Sequence, residues 1–189
     1  MIIPTYNEKD NLEELVRRTS AACSATKLGH EIVIVDDNSP DGTGALAEEL
    51  GKSFSVKVVH RAGKLGLSTA VLDGFKAAAG SVLVVMDADL SHPPEKIAEM
   101  VERIVKGGAD MVIGSRYVPG GQVENWPFHR RIISKGATLL ARGLTKVKDP
   151  MSGFFAIKRE AVEGVELNPI GYKIGLEILV KGKVSKVEE

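Results

Sequence analysis

The chain predicts an α/β fold in a single domain, with a mostly parallel sheet flanked by helices. Apolar runs of strand length, helical periodicity between them and their regular alternation along most of 189 residues carry that prediction. MIIP (1–4) reads as the tail of a strand, and the helix expected over 8–24 has NLEELVRRTSAAC at its centre. EIVIVD (31–36) is a second strand, 41–51 a helix, VKVVH (56–60) a third strand and 66–79 a helix. VLVVMD (82–87), a helix over 94–106 and DMVIGS (110–115) continue the pattern. The strands are short, β-branched and apolar, as strands buried on both faces are. The helices carry apolar residues at three and four spacing with charges opposite, so each should lie on the sheet by one face. Pro93 and Pro94 fit a helix start, with Ser91 as its cap. Five strand and helix repeats imply right-handed crossovers and a Rossmann-like layer.

The alternation breaks after Arg116. Residues 117–128, YVPGGQVENWPF, hold two Pro, two Gly and the sole Trp, which suggests a long loop over one sheet edge. RRIISKGATLLARGL (130–144) reads as helix, KDPMSGF (148–154) as a turn leading into a short strand, and the remainder as helix. The tail KGKVSKVEE has no stop signal, so a truncated C-terminus is expected.

Composition excludes several classes. The 25 Lys and Arg balance 25 Asp and Glu, so no global field points to nucleic acid. With Cys23 as the single cysteine, neither an intrachain disulfide framework nor a cysteine metal site is possible. No apolar run approaches the ~18–20 residues of a membrane span.

Ligands of open α/β sheets bind beyond the carboxyl ends of the strands. Those ends carry Pro4-Thr5-Tyr6-Asn7-Glu8, Asp36-Asp37, Asp87-Ala88-Asp89 and Ser115-Arg116, which should converge on one crevice. Any one acid there could simply cap the next helix; four polar ends together favour a site. The first strand is not followed by GxGxxG, and GKLGLSTA (63–70) lacks the ending of a phosphate-cradling loop. Two carboxylates one residue apart suit a hard divalent ion on oxygen, Mg²⁺ or Mn²⁺, which also binds substrate phosphates. Tyr6 and the second-strand acids would complete a pocket for a nucleoside diphosphate.

PTYNE (4–8), VDDNSPDGT (35–43), MDADLSHPPE (86–95), GSRY (114–117), HRRIISKGA (129–137) and DPMSGFFAIKRE (149–160) resemble family 2 glycosyltransferases of the GT-A fold. Within that family the chain resembles the dolichol-phosphate mannose synthases, a branch acting on polyprenyl phosphates. The resemblance implies a nucleotide-binding part over 1–116 and an acceptor-side part over 117–189. It implies a nucleotide-sugar pocket at Pro4, Tyr6, Glu8, Val35, Asp37, Asp87, Ala88, Asp89 and Arg116. The metal would be held by Asp87 and Asp89, with Ser91 where some relatives have Gln. Asp89, Arg116, Arg130, Arg131 and Ser134 would act on the reacting phosphates. Arg130 and Ser134, four apart, share a helix face, whereas Arg131 points about 100° away. GDP-mannose is the implied donor, a dolichyl or polyprenyl monophosphate the acceptor and inversion the outcome. Relatives continue past residue 189 into a strand and a glycine-rich loop bearing Arg and Lys, and many have membrane helices.

The chemistry needs no general base, because a phosphate monoester with a second pKa near ~6 is already a dianion at neutral pH. The segment 130–148 joins Ile132, Ile133, Leu139, Leu140, Leu144 and Val147 to six cations, as in a helix lying on a membrane surface. Packing on the sheet edge fits it equally. The expected location is peripheral, at the cytoplasmic face of a membrane, with a membrane-anchoring subunit as a candidate partner. Two alternatives stay open: transfer from a UDP-sugar to the same lipid, and a non-catalytic subunit that binds sugar nucleotides.

Overall fold

The computed structural model describes residues 1–118, 145, 147–168 and 173–189. Its strands are β1 (Ile2–Thr5), β2 (Ile32–Asp36), β3 (Val56–His60), β4 (Val82–Val85), β5 (Met111–Ile113), β6 (Phe155–Lys158) and β7 (Val187–Glu188). The helices are α1 (Lys9–Ser24), α2 (Thr43–Leu50), α3 (Leu67–Ala77), α4 (Ile97–Val105) and α5 (Ile174–Lys181). One sheet runs β3-β2-β1-β4-β6-β5-β7. The pairs β1–β2, β2–β3, β1–β4 and β5–β7 are parallel, while β6 is antiparallel to both β4 and β5. All strands except β6 therefore point the same way, and their carboxyl ends share one edge with the start of β6.

Alternation along the central strands builds two cores. Ile3, Ile32 and Ile34 face Leu12 and Leu15 of α1, Leu50 of α2 and Met100 of α4. Ile2, Val33 and Val35 face Val71 and Phe75 of α3 and Ile174 and Ile178 of α5. Side chains of successive strand residues alternate between faces, so strands apolar at every position fill both layers. β1, β2 and β5 are wholly buried, as expected. β3 differs, because it is the edge: Lys57 and His60 are exposed and only part of its surface is covered.

The position of the strand after the 148–154 turn, which the sequence left open, is between β4 and β5, antiparallel to both. The chain leaves β5 at the carboxyl edge and re-enters at that same edge through the 148–154 turn, and a same-edge return gives an antiparallel strand. Two expectations need correction. Ser91 does not cap a helix: Pro94–Lys96 forms a 3-10 turn preceded by Pro93, without a side-chain cap, before α4. The C-terminal part is not uniformly helical. Gly182 closes α5 by donating to the Ile178 carbonyl at 2.7 Å, and the chain then reaches the open edge of β5 as β7. The loop expected over 117–128, beyond Val118, and the helix over 130–144 lie outside the described residues. Among the described residues, no helix is long and apolar enough to cross a membrane.

Candidate active site

Strand β1 lies between β2 and β4, so the chain order reverses beside it, and a crevice opens at that switch point. Pairing of β1 with β4 is confined to Ile2 and Val85, with the Met86 N–H donating to the Ile2 carbonyl at 3.2 Å. Ile2 thus faces β4. Thr5, whose carbonyl accepts the Asp37 N–H at 3.0 Å, faces β2. Pro4 must then face β4, just past the last shared hydrogen bond. A residue with no N–H costs nothing there, and its position marks where the two strands part.

One wall comes from the first three strands. Asp36 is buried and accepts from the Thr5 hydroxyl at 3.2 Å and the Ser39 N–H at 3.1 Å, so it braces the turn after β2. The Asp37 carboxylate is also buried. One oxygen pairs with Arg61, and the other accepts the N–H groups of Leu65 and Gly66, each at 3.1 Å. Arg61 in turn donates to the Gly66 carbonyl at 3.2 Å and the Thr69 hydroxyl at 2.6 Å. Gly66 has φ +101°, a backbone conformation that suits glycine. This buried knot fixes the 61–66 loop so that the Lys64 ammonium sits 3.9 Å from the centre of the Tyr6 ring. Tyr6 is 37% exposed, available for stacking. Glu8 precedes α1 and accepts from the Asn11 amide at 2.9 Å, while its own N–H donates to Thr43. The Val35 side chain is in the core, which leaves only its backbone for a ligand.

The acidic segment follows β4. Ala88 is buried while Asp89 is exposed, and Leu90 has φ 60°. A bulky residue in the left-handed region is a strained feature that clusters at functional sites. Asp89 accepts the Ser91 N–H at 3.0 Å, which folds the loop back. The Ser91 hydroxyl is placed on that exposed turn beside the acids. His92 stacks on Phe154, with ring centres 5.3 Å apart, and its Nδ1 accepts the Asp87 N–H at 3.3 Å. The ring supports Asp87 from behind, with Nε2 3.9 Å from the Asp87 carboxylate. Gly153 approaches closely: a β-carbon there would lie 3.0 Å from an Asp87 carboxylate oxygen. Burial pushes the Asp87 carboxyl up, and the neighbouring charge of Asp89 adds to it; His92 and Arg116 act the other way. Burial pulls the His92 ring down.

The opposite wall is built by β5 and the turn before β6. Arg116 lays a two-pronged fork on Asp149, Nε at 2.7 Å and Nη2 at 2.8 Å, and its backbone N–H joins at 3.1 Å. Asp149 is fully buried. Its hydrogen bond holds the Arg116 guanidinium above the usual range. Lys173 lines a narrow cleft with Asp87, Leu67, Val85, Ser152 and Gly153, and burial lowers its ammonium. Arg130, Arg131 and Ser134 lie outside the described residues.

The structure thus brings Pro4, Tyr6, Glu8, Asp37, Asp87, Ala88, Asp89, Ser91 and Arg116 to one edge of the sheet. The sequence alone did not single out Arg61, Lys64, Asp149 or Lys173 as site residues. Arg61 directly follows the third strand, the one strand end left out of the convergence argument, so a signal for it was present.

A mostly parallel sheet flanked by helices, with acids at its switch point, defines an α/β protein of the Rossmann-like kind. The chain belongs to glycosyl transferase family 2, whose family model matches residues 1–165. It is 58% identical, over its whole length, to a dolichol-phosphate mannosyltransferase of Pyrococcus furiosus, of which it covers 54%. It is 46% identical to the polyprenol monophosphomannose synthase of Mycolicibacterium smegmatis, with 92% of this chain and 66% of that protein aligned. The chain therefore spans roughly half to two thirds of these relatives. Among solved structures, glucosyl-3-phosphoglycerate synthase from Mycobacterium tuberculosis, in complex with Mn²⁺, UDP-glucose and phosphoglyceric acid, superposes with a TM-score of 0.70. That match has 22% identity and covers 94% of this chain and 62% of the other, which establishes the GT-A fold.

Proposed function

We propose that the protein transfers mannose from GDP-mannose to a dolichyl or polyprenyl monophosphate, with inversion and with Mg²⁺ or Mn²⁺ bound. The placement of Asp87 and Asp89 at the switch point, facing Arg116 and Lys173 across the crevice, carries this reading. The names of the aligned relatives support the sugar and the lipid.

The residues present fit a divalent ion. Asp89 accepts one N–H, and His92 Nε2 lies 3.9 Å from the Asp87 carboxylate, beyond hydrogen-bond reach, so these carboxylates can offer hard oxygen donors. No group of three His, Cys, Asp or Glu converges among the described residues. Two protein carboxylates completed by substrate phosphate and water are the usual arrangement for Mg²⁺. A bound ion would supply charge stabilisation to the departing diphosphate.

The protein's own side chains orient the reactants. Tyr6 and Lys64 offer a face and a charge to the base end of the donor. Arg116, aligned by Asp149, and Lys173 draw the acceptor phosphate towards the anomeric carbon and offset repulsion between two anions. Arg116 keeps its proton throughout. Attack by a dianionic phosphate oxygen displaces the nucleoside diphosphate from the opposite face. A polyprenyl chain brings this reaction to a membrane surface.

The test incubates the protein with Mn²⁺, polyprenyl phosphate and each labelled sugar nucleotide in turn. Label should enter lipid from GDP-mannose, and D89A should lose more than the ~10–100-fold that removing an outer partner of a metal ligand costs. Circular dichroism should show the fold retained. Transfer from UDP-glucose alone would reassign the donor, and an unimpaired D89A would remove the metal from this site.

A further inference from the structure

We infer that Glu189 is a positioning residue for Arg116, acting through Asp149. The inference rests on the proposed role of Arg116 at the acceptor phosphate. The Glu189 side chain accepts the Lys148 N–H, at 3.1 Å on one oxygen and 2.9 Å on the other, and the Asp149 N–H at 3.0 Å. One carboxylate thus holds two consecutive backbone N–H groups, which fixes the two peptide planes leading into Asp149 and so the point from which its side chain departs. Asp149 receives all three of its Arg116 hydrogen bonds in that orientation, from a fully buried position. A planar guanidinium gripped by a fork has little rotational freedom. The plane of Arg116 is therefore set, two links away, from the residue that follows the edge strand β7.

The strand itself is registered independently. The Asp110 carboxylate accepts the Ser185 N–H at 3.0 Å and the Lys186 N–H at 2.9 Å, and Met111 pairs with Val187. Glu188 meets Arg103 at 3.2 Å and Lys186 at 3.0 Å on the surface, whereas Glu189 reaches the 148–149 turn. Glu188 ends β7 and Glu189 follows it, and the two neighbouring glutamates have different partners and so different jobs. Glu188 serves as the internal control.

The experiment combines amide hydrogen exchange with steady-state kinetics on the whole chain. In E189A, exchange at Lys148, Asp149 and Arg116 should rise about tenfold. The kcat for mannosyl transfer should fall about tenfold, within the ~10²-fold that a misplacement of 1 Å costs. E189Q keeps an acceptor oxygen and should recover most of both. E188Q should match the parent in both. Unchanged exchange at Arg116 and unchanged kcat in E189A would overturn the proposal, as would an equal loss in E188Q. If the parent transfers from no donor, the proposed function fails, while exchange at Arg116 still decides whether Glu189 governs it.

Discussion

The two walls of the crevice each hold an arginine against a buried aspartate, and they use the pair differently. On the β2–β3 side Arg61 is 4% exposed at its side chain and joins Asp37, Gly66 and Thr69, with Nε 3.1 Å from the part-exposed Asp73 carboxylate. On the β5–β6 side Arg116 is 22% exposed, with Asp149 behind it at 0%. The first pair is sealed into the fold, where it sets a loop; the second stays part-exposed at the strand end that borders the crevice. A buried pair is costly to break because the surviving charge stays in a low-dielectric site. A part-exposed ion pair, by contrast, can orient a charge for a ligand.

The largest effect should therefore fall on the sealed pair. R61A leaves the Asp37 charge buried without its cation, held only by two backbone N–H groups, and should cost about 3–5 kcal/mol, read as the urea midpoint. A loss below about 1 kcal/mol would show that water reaches Asp37 and that the two walls are alike. R116K comes next: the charge remains but the fork is lost. Transfer should drop about tenfold with stability within ~1 kcal/mol, since a bidentate hydrogen-bonded pair outperforms a point charge mainly in geometry. Equal losses of stability in R61A and R116K would erase the distinction.

The smallest effect is an acid one, at the strand that supports the second wall. The N–H of Lys186, then the Lys158 ammonium and the Ser185 N–H, hold the Asp110 carboxyl at about 2, below its ordinary 3.8. A depressed carboxylate adds stability that is complete above its unfolded pKa and is lost as pH falls through the folded one. Melting temperature should thus decline between roughly pH 4 and pH 2 more steeply in the parent than in D110N. Parallel profiles would show that this anchor adds nothing to β7.

The first wall was legible in the sequence because it is assembled from consecutive units. Pro4, Tyr6, Asp37 and the helices behind them sit in βα repeats whose apolar runs announce strand ends directly. Arg61 was readable by the same rule. The second wall was not. Asp149 lies 33 residues from Arg116 and Glu189 lies 40 from Asp149, and no local pattern encodes either contact. The insertion of β6 between β4 and β5 brought the DPMSG turn beneath Asp87, where Gly153 leaves room for the carboxylate.

Sequence alone determined the alternation of buried strands and amphipathic helices, the acids at the strand ends and the family, because each is written in local composition and spacing. Tertiary structure decided which charges are spent on the fold and which face a ligand. That division depends on burial and on partners dozens of residues away, quantities that a one-dimensional pattern does not carry. Asp37 and Asp87 look alike as strand-end aspartates. Only packing ties the first to Arg61 and leaves the second open at the crevice.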